Sequence, residues 1–238
     1  MGQYGFFFDG TRCTGCKTCQ LACIDYHDLT AWLSYRHVYE VTGGQTLRDE
    51  DGVVSTTCFS YTVSSSCQHC WSPACTEACP TGAMTKDLAT GLVAVNAKVC
   101  IGCGACATVC PYGAPKVDVQ AGHSTKCDGC AERLANGLAP VCVLACPARA
   151  LAFGPAEEMA QMGEQAAIAP FGDPAATHPN LYVKPSHDAR PCGHEGLVAN
   201  PLAGSVPAWP PPRRPAPRTP PSTRSGTTAP STARDAAP

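Results

Sequence analysis

The sequence predicts an α+β fold, loop-rich and organised around bound metal more than around a large apolar core. Three observations predict it. Sixteen of the eighteen cysteines fall into four consecutive motifs. Glycine and proline contribute 22 and 23 residues of 238, which implies much turn and irregular structure. Aromatic residues make up only 7% of the chain, against an ordinary hydrophobic content of 44%, so burial alone is a thin source of stability.

Charge and terminal segments narrow the classes further. The formal net charge of −2 gives no broad basic footprint, and the protein is expected to bind no nucleic acid. The opening run Met1 to Asp9 carries no basic region and too short an apolar stretch for a secretory signal. Phe6 stands where a myristoylation pattern wants Ser or Thr. No run of eighteen apolar residues occurs, so a bilayer span is not expected.

In sequence order, the first motif is Cys13, Cys16, Cys19 and Cys23. The β-branched and aromatic runs Tyr35 to Val41 and Val53 to Val63 follow, bounded by Thr42-Gly43-Gly44 and Asp51-Gly52, and predict one or two strands with turns. The second motif is Cys67, Cys70, Cys75 and Cys79. Thr81-Gly82-Ala83-Met84 and Gly91-Leu92-Val93-Ala94-Val95 then predict a strand, turn and strand. The third motif is Cys100, Cys103, Cys106 and Cys110, and the fourth is Cys127, Cys130, Cys142 and Cys146, with eleven residues in its middle gap. Short helical turns are expected after each closing CxxxC. From Pro201 to Pro238 there are eleven prolines, with Ser, Thr, Ala and five arginines, which predicts a disordered tail.

The first and third motifs read CxxCxxCxxxC, a run that holds [4Fe–4S] clusters in bacterial ferredoxins. Three thiolates spaced by three residues let a loop wrap one cubane, while the fourth points toward a second cluster. Sites therefore come in pairs, and spacing alone leaves open which motif pairs with which. Proline follows the last cysteine at Pro80, Pro111 and Pro147, whereas the first motif has Ile24 there. Gly15, Gly102, Gly104 and Gly129 lie inside the loops, where the backbone must come close to sulfur. Zinc needs four ligands and gives no reason for the repeated third and fourth cysteines. A disulfide scaffold suits a short exported chain, a Rieske centre would exchange two cysteines for histidines, and no CxxCH for covalent haem is present.

Outside the motifs, Cys58 is expected to be a buried small hydrophobe and Cys192 to be incidental. His69 reads as a loop residue. Arg12, Lys17 and Lys126 adjoin first ligands and either raise a cluster's potential or are solvated cations. Trp71 and Tyr112 are candidates for screening clusters from water. There is no nucleophile, phosphate loop or acid/base constellation, and sixteen thiolates for four cubanes leave no open iron for substrate.

From Gly5 to about Gly154 the sequence resembles the iron–sulfur (beta) subunit of the dimethyl sulfoxide reductase family of molybdopterin oxidoreductases. The resemblance rests on Phe8-Asp9-Gly10-Thr11-Arg12-Cys13 through Leu21-Ala22-Cys23, on Pro73-Ala74-Cys75-Thr76-Glu77-Ala78-Cys79-Pro80 and on Cys110-Pro111-Tyr112-Gly113-Ala114-Pro115. It implies two nested bacterial dicluster ferredoxin-like domains: an outer one from 1–60 and 114–160, an inner one from 61–113, an irregular wrapping segment at 161–200 and the tail at 201–238. It also implies four [4Fe–4S] clusters. Cluster 1 would take Cys13, Cys16, Cys19 and Cys146; cluster 2, Cys23, Cys127, Cys130 and Cys142; cluster 3, Cys67, Cys70, Cys75 and Cys110; cluster 4, Cys79, Cys100, Cys103 and Cys106. Some members of the family have an aromatic residue in the third motif and lose an iron; Cys103 here implies a full cubane.

The implied role is non-catalytic electron transfer between an integral membrane anchor that oxidises quinol and a molybdopterin-containing catalytic subunit, in anaerobic respiration. A related polysulfide or thiosulfate reductase, a formate dehydrogenase, or a stand-alone polyferredoxin is the alternative. The complex would be peripheral to the membrane, at the cytoplasmic face or exported with a partner that carries the signal.

Overall fold

β1 (Tyr4–Asp9) is apolar on both faces, and Phe6, Phe7 and Phe8 are all buried, as in a strand covered on two sides. It pairs antiparallel with β10 (Leu151–Pro155) and parallel with β12 (Leu181–Lys184). The two-residue β11 (Glu164–Gln165) completes a sheet of order β10-β1-β12-β11. The polypeptide crosses from β10 to β11 through α6 (Ala156–Met162), whose Met159 is buried. The computed structural model describes residues 2–30, 33–194 and 197–198. Residues 1–206 form one unit; the second, 207–238, and with it the expected tail at 201–238, lies outside the described residues.

The segment 161–200, expected to be irregular, supplies β11 and β12 to this sheet. Its apolar strand Leu181-Tyr182-Val183 is short and isolated in sequence, and pairing with β1, far away along the polypeptide, and with β11 makes it a strand. The stretch also contains a 3-10 turn at Pro174–Ala176 and an isolated bridge between Ile168 and Pro191.

Between the first two motifs the sequence predicts one or two strands, and the structure has four. β2 (His37–Gly43) and β5 (Phe59–Ser65) pair antiparallel over seven residues, with His37 opposite Ser65. At their tip the ribbon continues as an exposed hairpin, β3 (Thr46–Arg48) with β4 (Val54–Thr56). Gly43-Gly44 separates β2 from β3, Asp51-Gly52 lies in the turn between β3 and β4, and Thr57-Cys58 separates β4 from β5. β13 (Leu197–Val198) pairs with the outer edge of β2.

Two further hairpins fill the gaps between motifs. β6 (Met84–Lys86) with β7 (Val93–Val95) is the predicted insertion. β8 (Lys116–Asp118) with β9 (His123–Thr125) is its counterpart between the third and fourth motifs, where β-branched residues are sparse. The helices are short: α1 (Thr18–Tyr26), α2 (Ala74–Glu77), α3 (Ala105–Val109), α4 (Ala131–Ala135) and α5 (Val141–Leu144). All are below the length at which an isolated helix is stable in water, so they depend on what their side chains bind and pack against.

The core is divided accordingly. One cluster joins Phe6, Phe8, Val38, Val41, Tyr61 and Val63 to Cys19, Cys142 and Cys146. A second gathers Met84 and Val93 with Cys75 and Cys106, and a third gathers Ala114 with Cys67 and Cys127. Motif cysteines belong to every one of the three.

Candidate metal centres

The sequence predicts helical turns after each closing CxxxC, whereas the structure places the helices on those residues themselves. Cys19 and Cys23 are both within α1; Cys75, Cys106 and Cys142 sit in α2, α3 and α5, with Cys79, Cys110 and Cys146 just beyond their ends. Residues at i and i+4 lie on neighbouring turns of one helix face, as Cys19 and Cys23 do in α1. The loops that lead in have a common geometry. The second residue after the first cysteine is left-handed in every motif: Gly15, His69, Gly102 and Gly129 have φ of 69°, 43°, 66° and 75°.

Two small hollows show where cysteines of different motifs meet. One is lined by Cys13, Cys16, Cys19 and Cys146, together with Phe8, Ser64 and Pro147. The other is lined by Cys79, Cys100, Cys103 and Cys106, with Pro80 and Ser124. In each, three cysteines of one motif face the last cysteine of another. Among the remaining eight, Cys23 is influenced by Cys142 and Cys130, and Cys127 by Cys23, Cys67 and Cys142, so that Cys127 reaches cysteines of the first, second and fourth motifs. Cys75 is influenced by Cys67, Cys110 and Cys70.

None of the eighteen cysteines is in a disulfide. Burial, followed by the nearby sulfurs, pushes Cys23 and Cys75 up to about 12, and burial pushes Cys70 and Cys130 up to about 11. A bare set of such groups is protonated at neutral pH, and metal must displace those protons to bind thiolate.

Hydrogen-bond donors converge on the sulfurs. Backbone N–H groups of Met84, Ser124, Gly129 and Ala150 donate to Cys79, Cys100, Cys127 and Cys146 at 3.3–3.4 Å. The hydroxyl of Thr62 lies 3.3 Å from Cys13, that of Ser64 3.4 Å from Cys19, and that of Ser124 3.2 Å from Cys106. Lys126, buried, places Nζ 3.4 Å from Cys67 Sγ and also donates to the carbonyls of Val93 and Cys127. Donors of this kind stabilise the negative charge of thiolates and of the group they hold.

The other singled-out residues divide. Arg12 pairs with Asp9 at 3.5 Å and Lys17 with Glu40 at 2.5 Å, with both cations partly in solvent. Trp71 is half exposed and carries the Lys86 ammonium over its ring. Tyr112 is buried and its hydroxyl meets that of Thr177, 2.9 Å away, which in turn bonds Cys70. Cys58 is exposed, contrary to expectation, because it lies at the join between the exposed hairpin and β5. Cys192 is half-buried, and its N–H donates to the Ala167 carbonyl.

His69 is more than a loop residue. It is fully buried, its Nδ1 accepts the Val93 N–H at 2.9 Å, and its carbonyl accepts from the side chains of Gln3 and Asn180. Burial and the Lys126 and Lys86 charges hold it well below the usual imidazole range. With Nδ1 accepting, the proton sits on Nε2, 4.0 Å from Cys127 Sγ. His27 Nε2 lies 3.6 Å from Cys130 Sγ, beside Asp128, whose carboxylate accepts the Cys130 N–H. Neither histidine stands in a ligand spacing, and position in the fold is what brings each to sulfur.

Loops that converge cysteines in fours, with N–H and O–H donors turned toward the sulfurs, fit [4Fe–4S] clusters and define an iron–sulfur protein. A 4Fe-4S dicluster domain family matches residues 58–156. The protein is similar to the B subunit of the anaerobic dimethyl sulfoxide reductase of Haemophilus influenzae, with 53% identity covering 84% of this sequence and 98% of the relative. Against the corresponding subunit of Escherichia coli K12 the identity is 51%, over 84% and 97%. Similarity extends to the thiosulfate reductase electron transfer subunit of Salmonella typhi, at 38% over 66% and 78%. The protein belongs to the family of dimethyl sulfoxide reductase iron–sulfur subunits. It is an electron-transfer subunit of an oxidoreductase complex and not the catalytic one.

Proposed function

We propose that the protein holds four [4Fe–4S] clusters and relays electrons between a quinol-oxidising membrane anchor and a molybdopterin catalytic subunit. The observation that carries this reading is the pair of hollows, each lined by four cysteines drawn from two motifs. Cys13, Cys16, Cys19 and Cys146 would hold one cluster, and Cys79, Cys100, Cys103 and Cys106 another. The groups Cys23, Cys127, Cys130, Cys142 and Cys67, Cys70, Cys75, Cys110 would hold the other two. This makes an inner part, 61–113, nested in an outer part from 1–60 and 114–160.

Each cluster, when bound, accepts and donates one electron without binding substrate. The protein's own residues fix the thiolates, direct N–H and O–H donors at them and bury them beside Phe8, Tyr112 and Met84. The protein partners supply the chemistry at either end. Among the described residues no helix is long and apolar enough to cross a membrane, which agrees with peripheral attachment through an anchor. The side of the membrane would follow from the partner's own targeting.

Anaerobic purification from membranes tests the proposal. Iron and acid-labile sulfide equivalent to four clusters, four signals in a redox titration followed by electron paramagnetic resonance, and co-purifying catalytic and membrane subunits are expected. One or two clusters, or bound zinc, would overturn it.

A further inference from the structure

Arg36 is the bulkiest of the fully buried side chains among the described residues, at 1% exposure. Removing a guanidinium from water is costly unless opposite charge or hydrogen bonds compensate. None of the carboxylates in the ion pairs among the described residues is its partner. Instead its two terminal nitrogens donate to Ser64 Oγ at 3.1 Å and Ser66 Oγ at 3.0 Å, and its guanidinium lies 4.7 Å from the Phe6 ring centroid. Its Nε has no partner. Two neutral hydroxyls and an aromatic face do not balance a buried positive charge.

The ionisable groups within reach are sulfurs. Burial by itself lowers the basicity of Arg36, whereas Cys142, Cys19, Cys127 and Cys23, in the thiolate form that bound metal imposes, raise it. The contacts are directional as well. Arginine accepts no hydrogen bond, so Ser64 Oγ accepts the Arg36 N–H and its own hydroxyl proton is left to donate to Cys19 Sγ, 3.4 Å away. The backbone N–H of Arg36 meanwhile bonds Cys23. Cys19 and Cys23 are the two sulfurs that α1 turns toward different cysteine groups, so one residue touches both sides of that division.

We propose that Arg36 is the resident counter-ion shared by two neighbouring cluster sites, that of Cys13, Cys16, Cys19 and Cys146 and that of Cys23, Cys127, Cys130 and Cys142, and that it raises the reduction potential of both. The inference rests on the four-cluster reading above. A fixed cation favours the more negative, reduced form of an adjacent cluster, and in a site shut off from water its effect is weakly screened. Arg36 thus acts on the electrons through the ligands and is a positioning residue, with Ser64 carrying its polarity to Cys19.

The test is a redox titration of the anaerobically isolated full-length protein, monitored by electron paramagnetic resonance, for wild type, Arg36→Gln and Arg36→Lys. Signals are assigned to the two sites by their loss in Cys146→Ser and Cys142→Ser. Fewer than four wild-type clusters defeats the underlying reading and this inference with it. With four present, Arg36→Gln is expected to lower the two assigned midpoint potentials and leave the other two in place, while Arg36→Lys restores most of the shift. Unchanged potentials in Arg36→Gln, an equal shift of all four signals, or Arg36→Lys behaving as Arg36→Gln overturns the counter-ion role. Should Arg36→Gln lose iron outright, iron content decides: retention in Arg36→Lys supports the role of charge, and equal loss in Arg36→Lys refutes it.

Discussion

At the residue scale, the cluster loops depend on backbone that approaches too closely to admit a side chain. Gly102 has φ of 66°, and a Cβ there would lie 2.6 Å from the carbonyl oxygen of Gly122 in the turn between β8 and β9. The left-handed conformation alone costs an L-residue about 1–2 kcal/mol, and the clash forces the hairpin away from the loop. Gly102→Ala is therefore expected to lower iron content by roughly one cluster of the proposed four, that of Cys79, Cys100, Cys103 and Cys106. Gly52→Ala, at φ of 80° in an open hairpin turn with nothing within 4 Å, carries similar backbone strain and is expected to keep its iron. Equal iron loss in both would show that strain in general, and not this contact, is responsible. His69 occupies the same loop position as Gly102 in a different motif, and tolerates its left-handed backbone because its ring and carbonyl are both engaged.

The cysteine motifs were legible in the sequence because ligand spacing is local, most plainly in the CxxCxxCxxxC of the first and third motifs. Arg36 was not legible. It stands alone between Tyr35 and His37, and only the fold of β2 against β5 brings Ser64 and Ser66 to it. The same holds for Thr62, Ser64 and Ser124, ordinary polar residues until their hydroxyls are seen on sulfur. Cys58 misled because a β-like run does not say which of its parts is a core strand and which an exposed tip.

At the scale of elements, the Phe6-Phe7-Phe8 run reads in the sequence as no more than a short apolar stretch, yet it lies in an inner strand of the largest sheet. Its partners come from residues 151–155 and 181–184, so the pairing is long-range and leaves no local mark. β1 also meets the metal sites directly, since Phe8 lines the hollow of Cys13, Cys16, Cys19 and Cys146. Phe8→Ala is expected to cost about 3–5 kcal/mol, much of the stability of an ordinary domain, and to speed loss of iron to a chelator. Denaturant unfolding and chelation rates measure both; a loss below about 1 kcal/mol would show that the sheet is not what closes this site.

The described residues pack into one larger and two small apolar clusters, each of which contains motif cysteines. Helices of four to nine residues do not persist unaided, and buried thiols gathered in fours need metal to carry their charge as thiolates. Removing iron with a chelator under reducing conditions is expected to abolish the cooperative thermal transition followed by circular dichroism, as in other small metal-dependent folds. An apoprotein that melts at the temperature of the holoprotein would contradict this.

The central claim is that distant motifs exchange ligands, so that the cluster of Cys13, Cys16 and Cys19 is completed by Cys146 from the other end of the four motifs. Electron paramagnetic resonance of Cys146→Ser in the full-length protein tests it most directly. The predicted result is loss or alteration of one signal, the same one lost in Cys13→Ser, with the other three unchanged. Four wild-type signals in Cys146→Ser, or loss of a signal different from that lost in Cys13→Ser, would contradict the interlaced arrangement.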